Sequence, residues 1–334
     1  MPIDYGSIDK RGTYLELPPL TMPQNSFNNF LFYSTYTLTC LEDRAWSFAL
    51  ALAMQSLGGM RLVSIQQFAE GIACIILSGI IGKHCDNVSR KKSIIQVVAM
   101  NNAPLIFACL CFTVCLSLRE TGFNLLYTPL LGLGMVLSAI NRLGLNQEKN
   151  CLARDWVVVL AKSGTLSRLN AILISLDQLT NVITPLIAGA LISLLRLQTT
   201  LVILGITGLA TMLLKGIALI ALLKREPRLL VKEVKGELVV NHDDPSVPGV
   251  LATYWHQKIF SAAFGLALLF MTVLSFDGLA LGYGQSAGLS DTVLGGFKSF
   301  SSLCGILGAI SYAFVERQIG VRKTGFFGFT KYYF

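Results

Sequence analysis

Seven charged side chains fall inside stretches that are otherwise apolar: the acids Glu42, Asp43, Glu70, Asp177 and Asp277, and the bases Arg44 and Lys215. A charge at mid-bilayer costs at least ~2.5–3.5 kcal/mol on insertion scales, so each of them needs a partner or a wet cavity. Two kinds of chemistry fit. The set lines a path for a solute or ion, or its members pair with one another to tie a bundle together. Spacing adds detail. Asp43 and Ser47 are four residues apart and share a helix face, whereas Arg44 points elsewhere. Asn170, Asp177 and Asn181 stand at i, i+7 and i+11, a polar stripe with Pro185 beyond it. Asp277 precedes Gly278, Gly282, Tyr283 and Gly284. Gly278 and Gly282 make a small-xxx-small packing pair, and the same glycine density permits a helix break at a binding site. The candidate path is Asp43, Ser47, Asn101, Asp177, Asn181, Lys215 and Asp277, with Gly278 and Gly282 at the break.

The elements that must position these residues are membrane helices. Of 334 residues, 53% are hydrophobic and 14% charged; a water-facing surface carries about a quarter charged residues. A span of ~30 Å of hydrocarbon takes about 20 mostly apolar residues. Eight such runs appear, near 28–57, 62–81, 93–117, 123–141, 169–195, 197–223, 259–286 and 293–315. Strands are excluded in lipid because an open edge leaves backbone groups unpaired. The expected organisation is a cytoplasmic disordered tail (1–27), a six-helix bundle (28–223), a cytoplasmic linker (224–258) and two further helices (259–334). No charged-then-apolar-then-small pattern opens the chain, so no cleaved signal peptide is expected.

Lysines and arginines stay on the cytoplasmic side. Counted over alternate loops from an internal amino terminus they divide twenty-one against four, the minority being Arg61, Arg119, Arg196 and Lys298. That places the amino terminus in the cytosol. The net charge of +8 does not indicate nucleic acid, because the basic residues sit between apolar runs with no aromatic interleaving. The eight cysteines lack zinc-site spacing, and Cys109, Cys111 and Cys115 read as small apolar helix residues. No enzyme is expected: His84 and His256 lie at membrane borders, His242 lies in a loop, and no nucleophile or hydrolase constellation is visible.

After the second helix, Gly82, Asp86, Arg90 and Lys91 form G-x3-D-x3-R-K, which resembles the cytoplasmic loop signature of the major facilitator superfamily. Glycine permits the turn there, and Asp86 can pair with arginine across helix ends. Further stretches resemble the ferroportins, the solute carrier family 40 iron exporters. Asp43-Arg44-Ala45-Trp46-Ser47-Phe48 looks like D-R-x-W-x-F, and Arg154-Asp155-Trp156 like R-D-W before helix five. Asp177-Gln178-Leu179-Thr180-Asn181, with Pro185 and Gly189, is similar to D-Q-L-T-N-x3-P-x3-G. Met271 to Leu274, Phe276-Asp277, Gly282-Tyr283 and Gly288 to Ser290 resemble the seventh helix.

The resemblance implies an all-α, major-facilitator-like bundle, here about eight transmembrane helices of a twelve-helix fold, with the last four missing from a truncated chain. It implies alternating access and export of Fe2+ as a transported substrate, with no cofactor, in the plasma membrane. Gly82, Asp86, Arg90, Arg154 and Asp155 would form the cytoplasmic gate. Of the family's metal ligands only Asp43 is kept. Ser47 stands at the histidine's place, and Gly278 at that of the cysteine where the hormone hepcidin docks, so hepcidin binding is not expected. Lys215 takes the place of a cation-binding glutamate, which suggests that it pairs with Asp43.

Overall fold

Runs of Leu, Ile, Val and Ala uninterrupted by charge form helices that are apolar all round, and every element assigned among the described residues is helical. The computed structural model describes residues 26–121, 125–161, 166–230, 252–257, 259–269 and 277–319. The expected tail up to residue 25, most of the expected linker and the stretch after 319 lie outside the described residues.

Helix α1 (Ser26–Asn87) runs for 62 residues, but its backbone leaves helical geometry at Gly58 (φ −150°, ψ 17°) and Gly59 (φ 69°, ψ −167°). It is therefore two limbs, folded back at the point expected between the first two spans. Gly59 is in a left-handed region that a Cβ disfavours, so glycine is required there. The turn is closed from outside: the Tyr127 hydroxyl donates to the Leu57 carbonyl at 2.8 Å.

There follow α2 (Arg90–Thr121), α3 (Tyr127–Asn150), a π-helical turn (Cys151–Trp156), α4 (Val157–Leu160), α5 (Leu166–Leu195) and α6 (Leu197–Arg225). Beyond these come α7 (Phe260–Leu269), α8 (Gly278–Ser286) and α9 (Asp291–Ile319). One expectation is corrected. The fourth helix was to end at 141 with a basic loop over 142–168; it continues to Leu160, because its charges are neutralised inside the bundle rather than solvated outside it. In the seventh apolar run, whose glycines permit a break, α8 starts at Gly278 behind an extended Asp277 (φ −100°, ψ −164°); residues 270–276 lie outside the described residues. Among the described residues five segments are long and apolar enough to cross a membrane, the first holding both limbs of α1. The sixth crossing of the expected bundle is thus the second limb. α8, at 9 residues, is too short to cross.

The first limb of α1 is the centre of the assembly. α3, α5 and α6 pack on α1, α8 lies against it as well, α2 lies on α3 and α6, and α9 lies along α5. One apolar core joins Trp46, Leu52, Met54, Leu105 and Phe112. A second, at the other end, joins Phe32, Ile94, Leu152, Trp156 and Leu222. The start of α1 and the end of α6 meet, with the Arg225 guanidinium 4.5 Å over the Phe27 ring and Asn28 donating to Glu226 at 3.2 Å. The surface is the reverse of a soluble protein's. Ile75 and Leu194 are 79% and 80% exposed, while Lys215 is fully buried. Lipid resolves that inversion, and the chain is an integral membrane protein.

Candidate functional site

Glu42 and Asp43 are consecutive on α1, so their side chains leave the helix about 100° apart. Each enters a different ionic cluster, and these clusters also take Glu148 and Lys149, consecutive on α3: Glu148 shares Lys215 with Glu42, and Lys149 binds Asp43.

The first cluster is sealed. The Lys215 ammonium, 0% exposed, reaches Glu42 Oε2 at 2.8 Å and Glu148 Oε1 at 3.1 Å. Thr211 donates to Glu42 at 3.0 Å; Thr39 and Asn101 donate to Glu148 at 2.5 and 2.7 Å. Asn141 in turn donates to the side-chain and backbone oxygens of Asn101. This corrects two expectations. Lys215 pairs with Glu42 and Glu148, not with Asp43. Asn101 is 1% exposed and supports this network rather than lining the open cavity. Burying three charges costs several kcal/mol per ion unless geometry and further hydrogen bonds are both good, and here both carboxylates receive extra donors.

The second cluster is a ring. Asp43, 4% exposed, accepts from Arg142 at 2.9 Å on one oxygen and from Lys149 at 2.7 Å on the other. Lys149 also reaches Asp177 at 3.3 Å. Arg44 donates to both Asp177 oxygens at 3.2 Å and stands 3.7 Å from Asp43, so it turns toward Asp43 more than helix spacing alone suggests. Ser47 closes the edge with a 3.3 Å bond to Asp43. Carboxylates and cations alternate around the ring, which draws α1, α3 and α5 together.

The ring opens on a cavity of about 990 Å3, counted with its mouth, between α1, α3, α5, α8 and α9. Arg44, Ser47, Asn181, Asp277 and Gly278 line it, together with Gln66, Gln67, Glu70, Arg142 and Lys298. Gln66 Oε1 and Asn181 Oδ1 are buried without a hydrogen-bond partner among the described residues. Asp277 caps α8, accepting from the backbone N–H of Leu279 at 3.1 Å. With its amide turned oxygen-first, Gln67 accepts from Gly278 N–H at 3.0 Å. The second limb of α1 thus supplies a second cap to the helix start at Gly278. Gly282 is a packing position, where a Cβ would meet Met60 and Val63 at 3.1 and 3.2 Å. Among the described residues no three His, Cys, Asp or Glu side chains come together to hold a metal, and both Asp43 oxygens are taken by cations.

At the end of the bundle where α2 begins, Arg90 makes a bidentate pair with Asp155 at 2.9 and 2.8 Å. The π-helical turn carries Asp155 to that position. Asp86 was expected to take an arginine; the observed ion pair is Arg90–Asp155, with Asp86, Gly82 and Arg154 lining the pocket beside it.

A family model described as Ferroportin1 (FPN1) matches residues 26–245 and 249–332. The chain belongs to the ferroportin family. Solute carrier family 40 member 1 of Danio rerio is 27% identical over 350 residues, covering 89% of this chain and 62% of that protein. The chain spans about 60% of the length of the curated ferroportins it matches. Among solved structures, a bacterial homologue of the iron transporter ferroportin in its inward-facing state superposes with a TM-score of 0.68 at 22% identity, covering 89% of this chain and 70% of that one. Its outward-facing state with soaked iron gives 0.63 at the same identity, with the same coverage. The fold is therefore that of the ferroportin bundle, major-facilitator-like.

Arg142, Glu148 and Lys149 escaped the sequence reading because charge alone marked them as loop. The signal was present: Arg142 and Lys149 are seven apart, two turns along one helix face. Lys298, counted with the outer loops, also faces the cavity. Moving Arg142, Lys149 and Lys298 out of the loop count leaves the charge asymmetry intact.

Proposed function

We propose that the chain is a multi-pass transporter that exports Fe2+ from the cytosol by alternating access, contributing to iron homeostasis. It has no enzymatic role, its amino terminus is cytoplasmic and it resides in the plasma membrane. The observation that carries the reading is the polar cavity where the first bundle meets α8 and α9, beside a helix that starts in mid-chain at Asp277. Membrane proteins place irregular backbone where it lines such a cavity. The family relationship gives the cargo its name, and the bacterial homologue solved in inward- and outward-facing states supports alternation between them. The Arg90–Asp155 pair then serves as the cytoplasmic latch. Control by hepcidin is not part of the proposal, since a Cβ at Gly278 would strike Gln67.

Radioactive iron flux tests the reading. Proteoliposomes carrying the 334-residue chain are expected to exchange Fe2+ well above empty vesicles, with saturation. Flux equal to that of empty vesicles contradicts it.

One observation favours a second reading, transport of another solute on the same fold. Arg44, Arg142 and Lys298 all face the cavity, an unusual lining for a cation path. Inhibition of iron flux by small carboxylates in the same vesicles separates the two.

A further inference from the structure

The cluster around Lys215 holds two carboxylates and one ammonium, which leaves one negative charge in excess. The Lys215 and Glu148 side chains are 0% exposed, whereas Glu42 keeps 7%. Glu42 lines a second cleft, about 830 Å3 counted with its mouth, floored by α1 and walled by α5 and α6. Most of its lining is hydrocarbon, including Leu38, Leu105, Ala188 and Leu204. Ile187 and Thr207 stand exposed on the two walls, beside the exposed Ile206 and Leu209, so the mouth opens into the bilayer and not into water. The ring across α1 has three cations to two carboxylates, but none of its groups lines this cleft. Gly208 keeps the carboxylate clear, since a Cβ there would stand 3.6 Å from Glu42 Oε1. That oxygen accepts from Thr211 at 3.0 Å, and a carboxylate oxygen can take a second donor. Thr184, also in the lining, is 6% exposed, and its hydroxyl has no hydrogen-bond partner among the described residues. Asp177 is tied to Arg44, two residues after Glu42, and Thr184 is seven residues beyond Asp177 on α5. The first and fifth spans run the same way, so the unpaired hydroxyl stands ~10 Å along the cleft from the carboxylate. A bare alkyl chain in the cleft would leave both polar groups unanswered in an apolar setting, which is costly.

We infer that this lipid-facing cleft binds a lipophilic primary ammonium whose apolar body carries one neutral hydrogen-bond acceptor ~10 Å from the nitrogen. The ammonium donates to Glu42 and offsets the excess negative charge of the cluster, with Lys215 left in place. The Thr184 hydroxyl donates to the neutral acceptor. A charge-assisted hydrogen bond is roughly twice as strong as a neutral one, so the head sets the affinity and Thr184 sets the position along the cleft. An alcohol of the same shape keeps the Thr184 contact and loses the charge; a carboxylate of the same shape is repelled by Glu42. Glu42 and Thr184 line this cleft and not the polar cavity, so the site stands whether or not the chain moves iron.

The test is photo-labelling of the purified full chain in phosphatidylcholine vesicles with 8-(4-benzoylphenoxy)octylamine, whose ether oxygen is the neutral acceptor and whose benzophenone is the reactive tail. The alcohol and the carboxylate with the same tail serve as comparators, and label is counted on peptides of α5 and α6. The amine is expected to label these peptides about tenfold more than the alcohol, the scale of one hydrogen bond to a charged group. Glu42→Gln should bring the amine down to the level of the alcohol. Thr184→Val should weaken amine and alcohol alike by about threefold, the scale of a neutral hydrogen bond, and Thr184→Ser should restore both. Thr207→Leu, which fills the mouth from an exposed position, should block the amine and serves if Glu42→Gln does not fold. Equal labelling by amine, alcohol and carboxylate would mean ordinary lipid contact only and overturns the inference. So does amine labelling that persists in folded Glu42→Gln or in Thr207→Leu.

Discussion

Lys215→Met is expected to destabilise the folded chain by about 3–5 kcal/mol, the range for removing one partner of a buried ion pair. The reason is what the lysine leaves behind. Glu42 and Glu148 would face one another in a site without solvent, where Glu148 and Lys215 are fully buried. Thr39, Thr211 and Asn101 supply three neutral donors to the two carboxylates and cannot supply a charge. Thermal unfolding in detergent measures the loss. Neutralising both acids in the same background, Glu42→Gln with Glu148→Gln, is expected to recover most of it, since a neutral network retains hydrogen bonds without the uncompensated charge. A Lys215→Met protein that melts with wild type would mean that the cluster is dispensable. It would also remove the physical reason that α1, α3 and α6 meet where they do.

The second large effect is steric. α9 approaches α5 so closely that a Cβ on Gly189 would lie 2.5 Å from the Asp291 carbonyl oxygen and 3.2 Å from Gly295 Cα. A Cβ on Gly295 would collide in the same way with the Pro185 carbonyl. The obstacles are backbone on both sides, so no side chain can swing aside. Helices in lipid associate through such close packing, not through hydrophobic gain. Gly189→Leu is therefore expected to cost about 1–3 kcal/mol or more at this contact, as overpacking does. Ser193 and Thr292, whose hydroxyls are 2.8 Å apart, report on it. Cysteines at those two positions should cross-link in the parent and lose about tenfold in cross-linking yield with Gly189→Leu, the equivalent of about 1.4 kcal/mol. Undiminished cross-linking would show that α9 docks by other means.

The positions of the helices were legible because run length and lipid thickness constrain each other tightly. Gly58 and Gly59 were already at the boundary between two apolar runs, and α1 bends there. Run length failed at residue 142. A charged residue in a membrane helix looks like a loop until its partner is known, and the partners of Arg142, Glu148 and Lys149 include Asp43, about a hundred residues earlier, and Asp177 and Lys215, 28 and 67 residues later. Expensive charges could thus be found in the sequence, but their pairing could not. Glu42 and Asp43 are neighbours in the chain and face different clusters, so the assignment of Lys215 to one or the other depended on a helix rotation that the sequence does not state. The same limit applies to Arg90, whose partner proved to be Asp155 because a π-helical turn, invisible in composition, adds a residue at that point.

Membership in the ferroportin family and the bundle fold stand on the whole length of the match. The proposed permeation path stands on the cavity beside the charge ring. Ser47 is the residue through which that path is tested most directly, since it is exposed in the cavity and bonded to Asp43. The measurement is labelling of Ser47→Cys in sealed vesicles by a membrane-impermeant thiol reagent applied from each side in turn, with Cys74, Cys151 and Cys304 changed to serine. Labelling from both sides is the expected result, with each side's rate responding to added metal. Labelling from one side alone, whatever the metal concentration, would make the cavity a closed cleft and contradict a path through it.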